Sequence, residues 1–245
     1  MERKAFSGVR VLVTGGSRGI GRETVRAFCR AGAEVAFLWN SSGSSADQVA
    51  YETGAYPIRC DVGDPDALLE AVKEAESTLS RIDVLVNNAG IAQTGLLQDL
   101  SLSDWNRLIS VDLTAVYLAS RFVIPGMVQR KSGRIVNISS VWGMVGASCE
   151  VAYSTVKAGV IGFTRALAKE LGPSGITVNC VSPGVIDTDM MRAYDEETKR
   201  ELANETPLGR LGTPADVAAT ILFLAGEGGS FMTGQVISPN GGFVI

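Results

Sequence analysis

The stretch Thr14-Gly15-Gly16-Ser17-Arg18-Gly19-Ile20-Gly21 decides how this chain is read. It follows a short apolar run at residues 9–13 and opens an amphipathic pattern over residues 20–30, giving strand, glycine turn and helix in that order. Glycines so placed permit a tight turn, close approach of the backbone to a pyrophosphate, and close packing of helix on strand. The helix N-terminus then faces the negative charge. A glycine turn can serve conformation alone, but this strand–turn–helix setting is the one that dinucleotide binding requires.

Outward from the turn the alternation continues. Apolar runs at 35–39, 56–60, 84–86, 134–138, 177–181 and 235–237 read as strands, and their Val, Ile and Leu content suits a parallel sheet buried on both faces. Helical patterns cover 20–30, 65–79, 104–129, 153–171 and 214–224. Asp64-Pro65 and Thr213-Pro214-Ala215-Asp216 carry start signals, a capping side chain followed by proline. Ser41 to Ser45 reads as a polar loop. Residues 187–207 lack periodicity and read as a mobile flap over a site. The expectation is one α/β domain over residues 1–245, a Rossmann-like doubly wound parallel sheet of about seven strands with helices on both faces.

Composition narrows the chemistry. The 245 residues include no histidine, which excludes Ser-His-Asp and Cys-His nucleophiles and His-ligated zinc. Proton transfer near neutral pH then falls to Tyr, Lys, Cys or a shifted carboxyl group. A net charge of −4 argues against nucleic acid as a partner. Cys29, Cys60, Cys149 and Cys180 form no CxxC pair and read as small core residues in a reducing compartment. Met1-Glu2-Arg3-Lys4 is followed by only a short apolar run, and no stretch of about 18 uninterrupted apolar residues occurs later. A soluble cytoplasmic protein with no membrane partner and no metal is expected.

Tyr153 and Lys157 are four residues apart and share a helix face. A nearby ammonium stabilises a phenolate, so the pair supplies proton transfer without imidazole. The strand at 134–138 ends in Ser139-Ser140, and either hydroxyl could simply cap the loop.

Together these motifs resemble the short-chain dehydrogenase/reductase family over nearly the whole chain. The resemblance rests on the Thr-Gly-x-x-x-Gly-x-Gly turn, Asp61-Val62, Asn87-Asn88-Ala89-Gly90, Tyr153-x-x-x-Lys157, and Pro183-Gly184 with Ile186 and Thr188 beyond. It implies a nicotinamide dinucleotide held by Gly15, Ser17, Arg18, Gly19, Ile20 and Gly21. Asp61 and Val62 would lie at the adenine, followed by Asn88, Ala89 and Gly90, while Thr188 would meet the carboxamide. The family's spacing selects Ser140, thirteen residues before Tyr153, as the group that hydrogen-bonds a substrate carbonyl. Tyr153 would move the proton, and Lys157 would hold the ribose and tune Tyr153.

Charge argues for NADP(H). The second strand runs Phe37-Leu38-Trp39-Asn40-Ser41-Ser42 with no acid before Asp47, so nothing there repels a 2′-phosphate. Arg18, Asn40 and Ser41 are the candidate phosphate contacts. One position departs from the family pattern: Asp112 stands where Asn is usual. It is expected to keep the family's proton relay, to pair with Lys157 and to alter the pH dependence. Asp187 and Asp189 read as loop-orienting residues, not a catalytic carboxylate pair.

Within the family the resemblance is to 3-oxoacyl-[acyl-carrier-protein] reductases, through Ala158 to Thr164, Gly175 to Asn179, Pro207 to Gly212, and Thr233 to Val236 with Gly241-Gly242. It implies a ketone substrate, small or bound to an acyl carrier protein, and a homotetramer. Arg130-Lys131-Ser132-Gly133-Arg134 is a basic cluster that could meet an acidic carrier. Lys131 matches one basic docking position of those reductases, whereas Ser174 lies where the second would be basic. Two alternatives stay open: a reductase or dehydrogenase of another small ketone, sugar or alcohol, and a catalytically idle dinucleotide sensor or scaffold.

Overall fold

The computed structural model describes residues 4–245; the charged start at Met1-Glu2-Arg3 lies outside the described residues. Strands β1 (Arg10–Thr14), β2 (Glu34–Trp39), β3 (Tyr56–Arg59), β4 (Val84–Asn87), β5 (Gly133–Ile138), β6 (Ile176–Val181) and β7 (Val236–Ile237) form one sheet. Their order is β3-β2-β1-β4-β5-β6-β7, and every pairing is parallel. Strand order reverses between β1 and β4, so a crevice opens beyond their carboxyl ends. All seven expected strands are present, within a residue or two of the sequence reading.

Helices α1 (Gly19–Arg30), α2 (Gly43–Thr53), α3 (Pro65–Leu79), α4 (Leu102–Ile109), α5 (Ala115–Arg130), α6 (Val141–Val145), α7 (Val151–Leu171), α8 (Glu196–Glu205) and α9 (Pro214–Ala225) complete the fold. Two apolar cores follow from the pleat. Leu12, Leu85 and Ile135 face Leu68, Leu118, Met127 and Leu167 of α3, α5 and α7. Val11, Val13, Val86 and Val136 face Val25, Phe28, Val49 and Ile221 of α1, α2 and α9. Both expected start signals operate. Asp64 accepts from the backbone N–H of Asp66 and Ala67, and Thr213 with Asp216 forms a reciprocal capping box.

Three readings are corrected. The polar loop expected from Ser41 runs directly into α2, which buries only Ala46 and Val49 and so lacks an apolar stripe to read. The expected flap contains a short 3₁₀ turn and α8, a helix with no buried residue and hence no periodic signal. The single helix expected over 104–129 is α4 and α5 joined by a π turn at Ser110–Thr114. Leu102–Arg130 is long and apolar enough to span a bilayer, but half of its most apolar window is packed inside the protein. The cysteines also divide. Cys60 and Cys180 are core residues whose thiols burial pushes up to about 11. Cys29 and Cys149 are half-buried, and Cys149 has a left-handed backbone, φ 61°.

A polar knot crosses the first core near the carboxyl ends. Asn87 donates to Ser120 Oγ at 3.1 Å and to Asn137 Oδ1 at 2.8 Å, and Asn137 donates to Thr164 Oγ1 at 2.9 Å. It joins β4 and β5 to α5 and α7. Asn137→Ala should cost about 2–3 kcal/mol in urea unfolding, because buried donors and acceptors are left unpaired; a cost below about 0.5 kcal/mol would show that the knot is dispensable.

Candidate functional site

The glycine turn is built for close approach. A Cβ at Gly15, where φ is +70°, would fall 2.9 Å from Ala89 Cα, and one at Gly21 only 2.1 Å from Gly15 O. Thr14 binds the turn to the end of β4: its hydroxyl accepts from the N–H of Asn88 at 3.0 Å and of Ala89 at 2.9 Å. Asn88 Nδ2 returns to the carbonyls of Thr14 and Gly15 at 3.0 and 3.1 Å. Ser17 is buried and Arg18, just before α1, is exposed. A Cβ on Gly19 would reach only Thr188, at 3.5 Å, so Thr188 closes over the turn across a narrow space. Gly184 lies against Asn240, and Ile186 is anchored in the second core with its segment bridged to Gly212. A bare, partly enclosed backbone at a helix N-terminus fits the pyrophosphate of a dinucleotide.

At the end of β2, Asn40 and Ser41 are exposed and no acid follows before Asp47. Trp39 is half-buried, with the Arg59 guanidinium 5.8 Å from its ring centroid. Val62 packs into the first core, so only its backbone is available to a ligand.

The expected reacting side chains converge beyond β5. The two serines separate by partner: Ser139 Oγ donates to the Lys157 carbonyl at 2.7 Å, deep in the protein. Ser140 Oγ caps α6, accepting from Trp142 N at 3.2 Å, and its hydroxyl lies near enough to Tyr153 to favour the phenolate. Of the two serines, Ser140 is the one beside Tyr153. Tyr153 and Lys157 share a face of α7, with Nζ 5.5 Å from the phenol ring centroid.

Lys157 is almost fully buried, and Asp112 on the π turn supplies its counter-ion at 2.9 Å. Asp112 is wholly buried, and its other oxygen accepts from Ile91 N at 2.9 Å. Lys157 also donates to the Ile138 carbonyl at 3.3 Å. Glycine is needed at position 90, since a Cβ there would stand 2.7 Å from the Asp112 carboxylate. Burial opposes the ammonium, but Asp112, with Tyr153 beside it, holds the Lys157 pKa above the usual value. Tyr153 differs from the simple sequence argument. Lys157 does favour its phenolate, yet burial, with Asp112 and Glu150 behind it, raises the phenol above its ordinary pKa.

Sequence reasoning assigned no role to Thr14, the Ile138 carbonyl or Arg107, and left Ser139 as a loop cap. Thr14 lay inside the quoted turn and Ile138 and Ser139 beside Ser140; Arg107 is joined to the site only by folding. Arg107 on α4 makes a bidentate pair with Asp61, both contacts 2.9 Å, so the carboxylate expected at an adenine already has a protein partner. Lys131 precedes β5 and adjoins the Gly175 turn. It stands a six-residue strand, or about 20 Å, from the Ser140 end.

A family model described as Enoyl-(Acyl carrier protein) reductase matches residues 15–244. The chain is 42% identical over 237 residues to the 3-oxoacyl-[acyl-carrier-protein] reductase of Aquifex aeolicus, covering 94% of this chain and 95% of that one. It is 42% identical over 232 residues to the acetoacetyl-CoA reductase of Shinella zoogloeoides, covering 94% and 96%. A solved short-chain dehydrogenase/reductase from Serratia marcescens superposes with a TM-score of 0.92 at 34% identity, covering 98% of this chain and 99% of that one.

Because Asp112 disfavours a phenolate at Tyr153, Asp112→Asn should let Tyr153 ionise at lower pH than in the unaltered protein. Tyrosinate absorbance, taken as the difference from Tyr153→Phe in each background, reads this directly. An unchanged midpoint would remove Asp112 from the tuning of the site.

Proposed function

The chain belongs to the short-chain dehydrogenase/reductase family, and on that footing we propose that it reduces a 3-oxoacyl thioester on an acyl carrier protein to the 3-hydroxyacyl thioester, using NADPH. One observation carries the reading: Ser140, Tyr153 and Lys157 meet at the carboxyl end of the sheet, beside a glycine cradle fit for a dinucleotide. The name of the family model refers to an enoyl substrate, whereas the two relatives act by name on keto groups. Two neighbouring hydroxyls suit a carbonyl oxygen becoming an alkoxide.

When bound, the reduced nicotinamide supplies the hydride for the carbonyl carbon. The protein's own residues do the rest. Ser140 orients the carbonyl oxygen, and Tyr153 donates the proton that converts alkoxide to alcohol. A phenol held above its ordinary pKa stays protonated at neutral pH, the state a donor needs. Lys157, oriented by Asp112 and the Ile138 carbonyl, holds the nicotinamide ribose and limits the cost of the transient phenolate. Gly15, Ser17, Gly19, Ile20 and Gly21 take the pyrophosphate, with Asn88, Ala89 and Gly90 opposite, and Pro183, Gly184, Ile186 and Thr188 line the nicotinamide end.

NADPH is favoured over NADH by the absence of an acid after β2 and by Arg18, Asn40 and Ser41, all exposed there. Residues 1–245 act as one domain in a cytoplasmic homotetramer; Phe231 beside the two-residue edge strand β7 and Tyr117 on α5 are exposed apolar surface suited to such contacts.

Purified protein should oxidise NADPH in the presence of an acetoacetyl thioester. Tyr153→Phe should lower kcat by about 10²–10⁴-fold while retaining NADPH binding, and full turnover in that variant would exclude Tyr153 as the donor. Arg18→Ala should raise the KM for NADPH about tenfold and leave that for NADH unchanged. Tight NADPH binding with no turnover on any ketone would instead favour an idle sensor.

A further inference from the structure

The pairing of Asp61 with Arg107 is more elaborate than a surface ion pair. Arg107 Nη2 reaches both Asp61 oxygens at 2.9 Å, and Oδ1 also accepts from Gly63 N at 3.0 Å. The guanidinium lies close over Gly63, with Nη1 only 2.3 Å from where a Cβ would stand and Val111 Cγ2 3.1 Å from the same point. Burial opposes ionisation of Asp61, but Arg107 and the Gly63 amide hold its carboxyl below the usual range. About two-fifths of each side chain remains exposed, 42% for Arg107 and 39% for Asp61. Exposed pairs of this kind add little stability and cost side-chain entropy. The pair stands just past the carboxyl end of β3, on the β2–β3 side of the glycine turn, where the adenosine half of a dinucleotide extends in this topology.

We propose that Arg107 is a positioning residue for base recognition: it holds Asp61 so that the carboxylate turns its one free lone pair toward the exocyclic amine of adenine. A carboxylate has about four lone-pair directions. Arg107 and Gly63 take three, leaving one on Oδ2 for the exocyclic amine of adenine. Gly63 is required because any side chain there would displace the guanidinium. The proposal rests on the dinucleotide reading above and adds to it a positioning residue on α4.

Direct binding to the intact protein tests it, by calorimetry or nucleotide fluorescence. Three probes are compared: NADPH, its reduced hypoxanthine analogue, which lacks the amine, and reduced nicotinamide mononucleotide, which lacks adenosine. Arg107→Gln should weaken NADPH about tenfold and leave the mononucleotide unchanged. Gly63→Ala, which keeps both charged groups but displaces the guanidinium, should produce the same pattern. Wild type should prefer NADPH to the hypoxanthine analogue, and Arg107→Gln should lose most of that preference. Equal NADPH affinity in wild type and both variants, or equal losses for all three probes, would overturn the role of Arg107. Failure of wild type to bind NADPH at all would instead defeat the dinucleotide reading.

Discussion

The site depends on one buried ion pair, Asp112 with Lys157. Either charge is costly in this interior without the other, and each takes a further partner. Asp112 accepts from the Ile91 N–H; Lys157 donates to the Ile138 carbonyl. Meeting those demands constrains several distant segments. The π turn between α4 and α5 carries Asp112 inward, Gly90 yields space beside its carboxylate, and Gly143 lets α6 approach the backbone of Lys157. Tyr153 sits one helical turn from the lysine, so whatever fixes the pair also fixes the phenol.

The sheet brings this pair to the glycine cradle. Between the cradle and the end of β4, the Thr14 hydroxyl and the Asn88 amide form a clasp of four hydrogen bonds that sets the spacing across the crevice. A few residues along, Asn87 and Asn137 tie β4 to β5 and to the helices beneath. In a chain without histidine, proton transfer is left to a phenol. The carboxylate that stabilises the lysine also restrains its acidifying effect, which suits donation better than abstraction.

Much of this was legible in the sequence because each legible element buries something or needs glycine. Strands buried on both faces announce themselves as Val, Ile and Leu runs. Two helix starts were marked by Asp64-Pro65 and Thr213-Pro214, whose capping bonds form as read. Helices α2 and α8 were illegible for the converse reason: one buries two small residues and the other buries none. The π turn carries no compositional mark, since a single bulge does not disturb an apolar pattern that runs through eight residues of helix before it and sixteen after it. Ser140, Tyr153, Lys157 and Asp112 could be listed from spacing and resemblance. That Ser139 faces inward to a carbonyl, or that Asp61 is met by Arg107 from α4, depends on contacts between segments tens of residues apart.

The most direct test of the central claim is a double-mutant cycle on stability, with Asp112→Asn and Lys157→Met made singly and together and unfolded in urea. Each single variant leaves a buried group without its counter-ion and should lose about 3–5 kcal/mol. The double variant, which buries no charge, should lose clearly less than the sum of the two. Additive losses would show that the two charges do not depend on each other, contradicting the account.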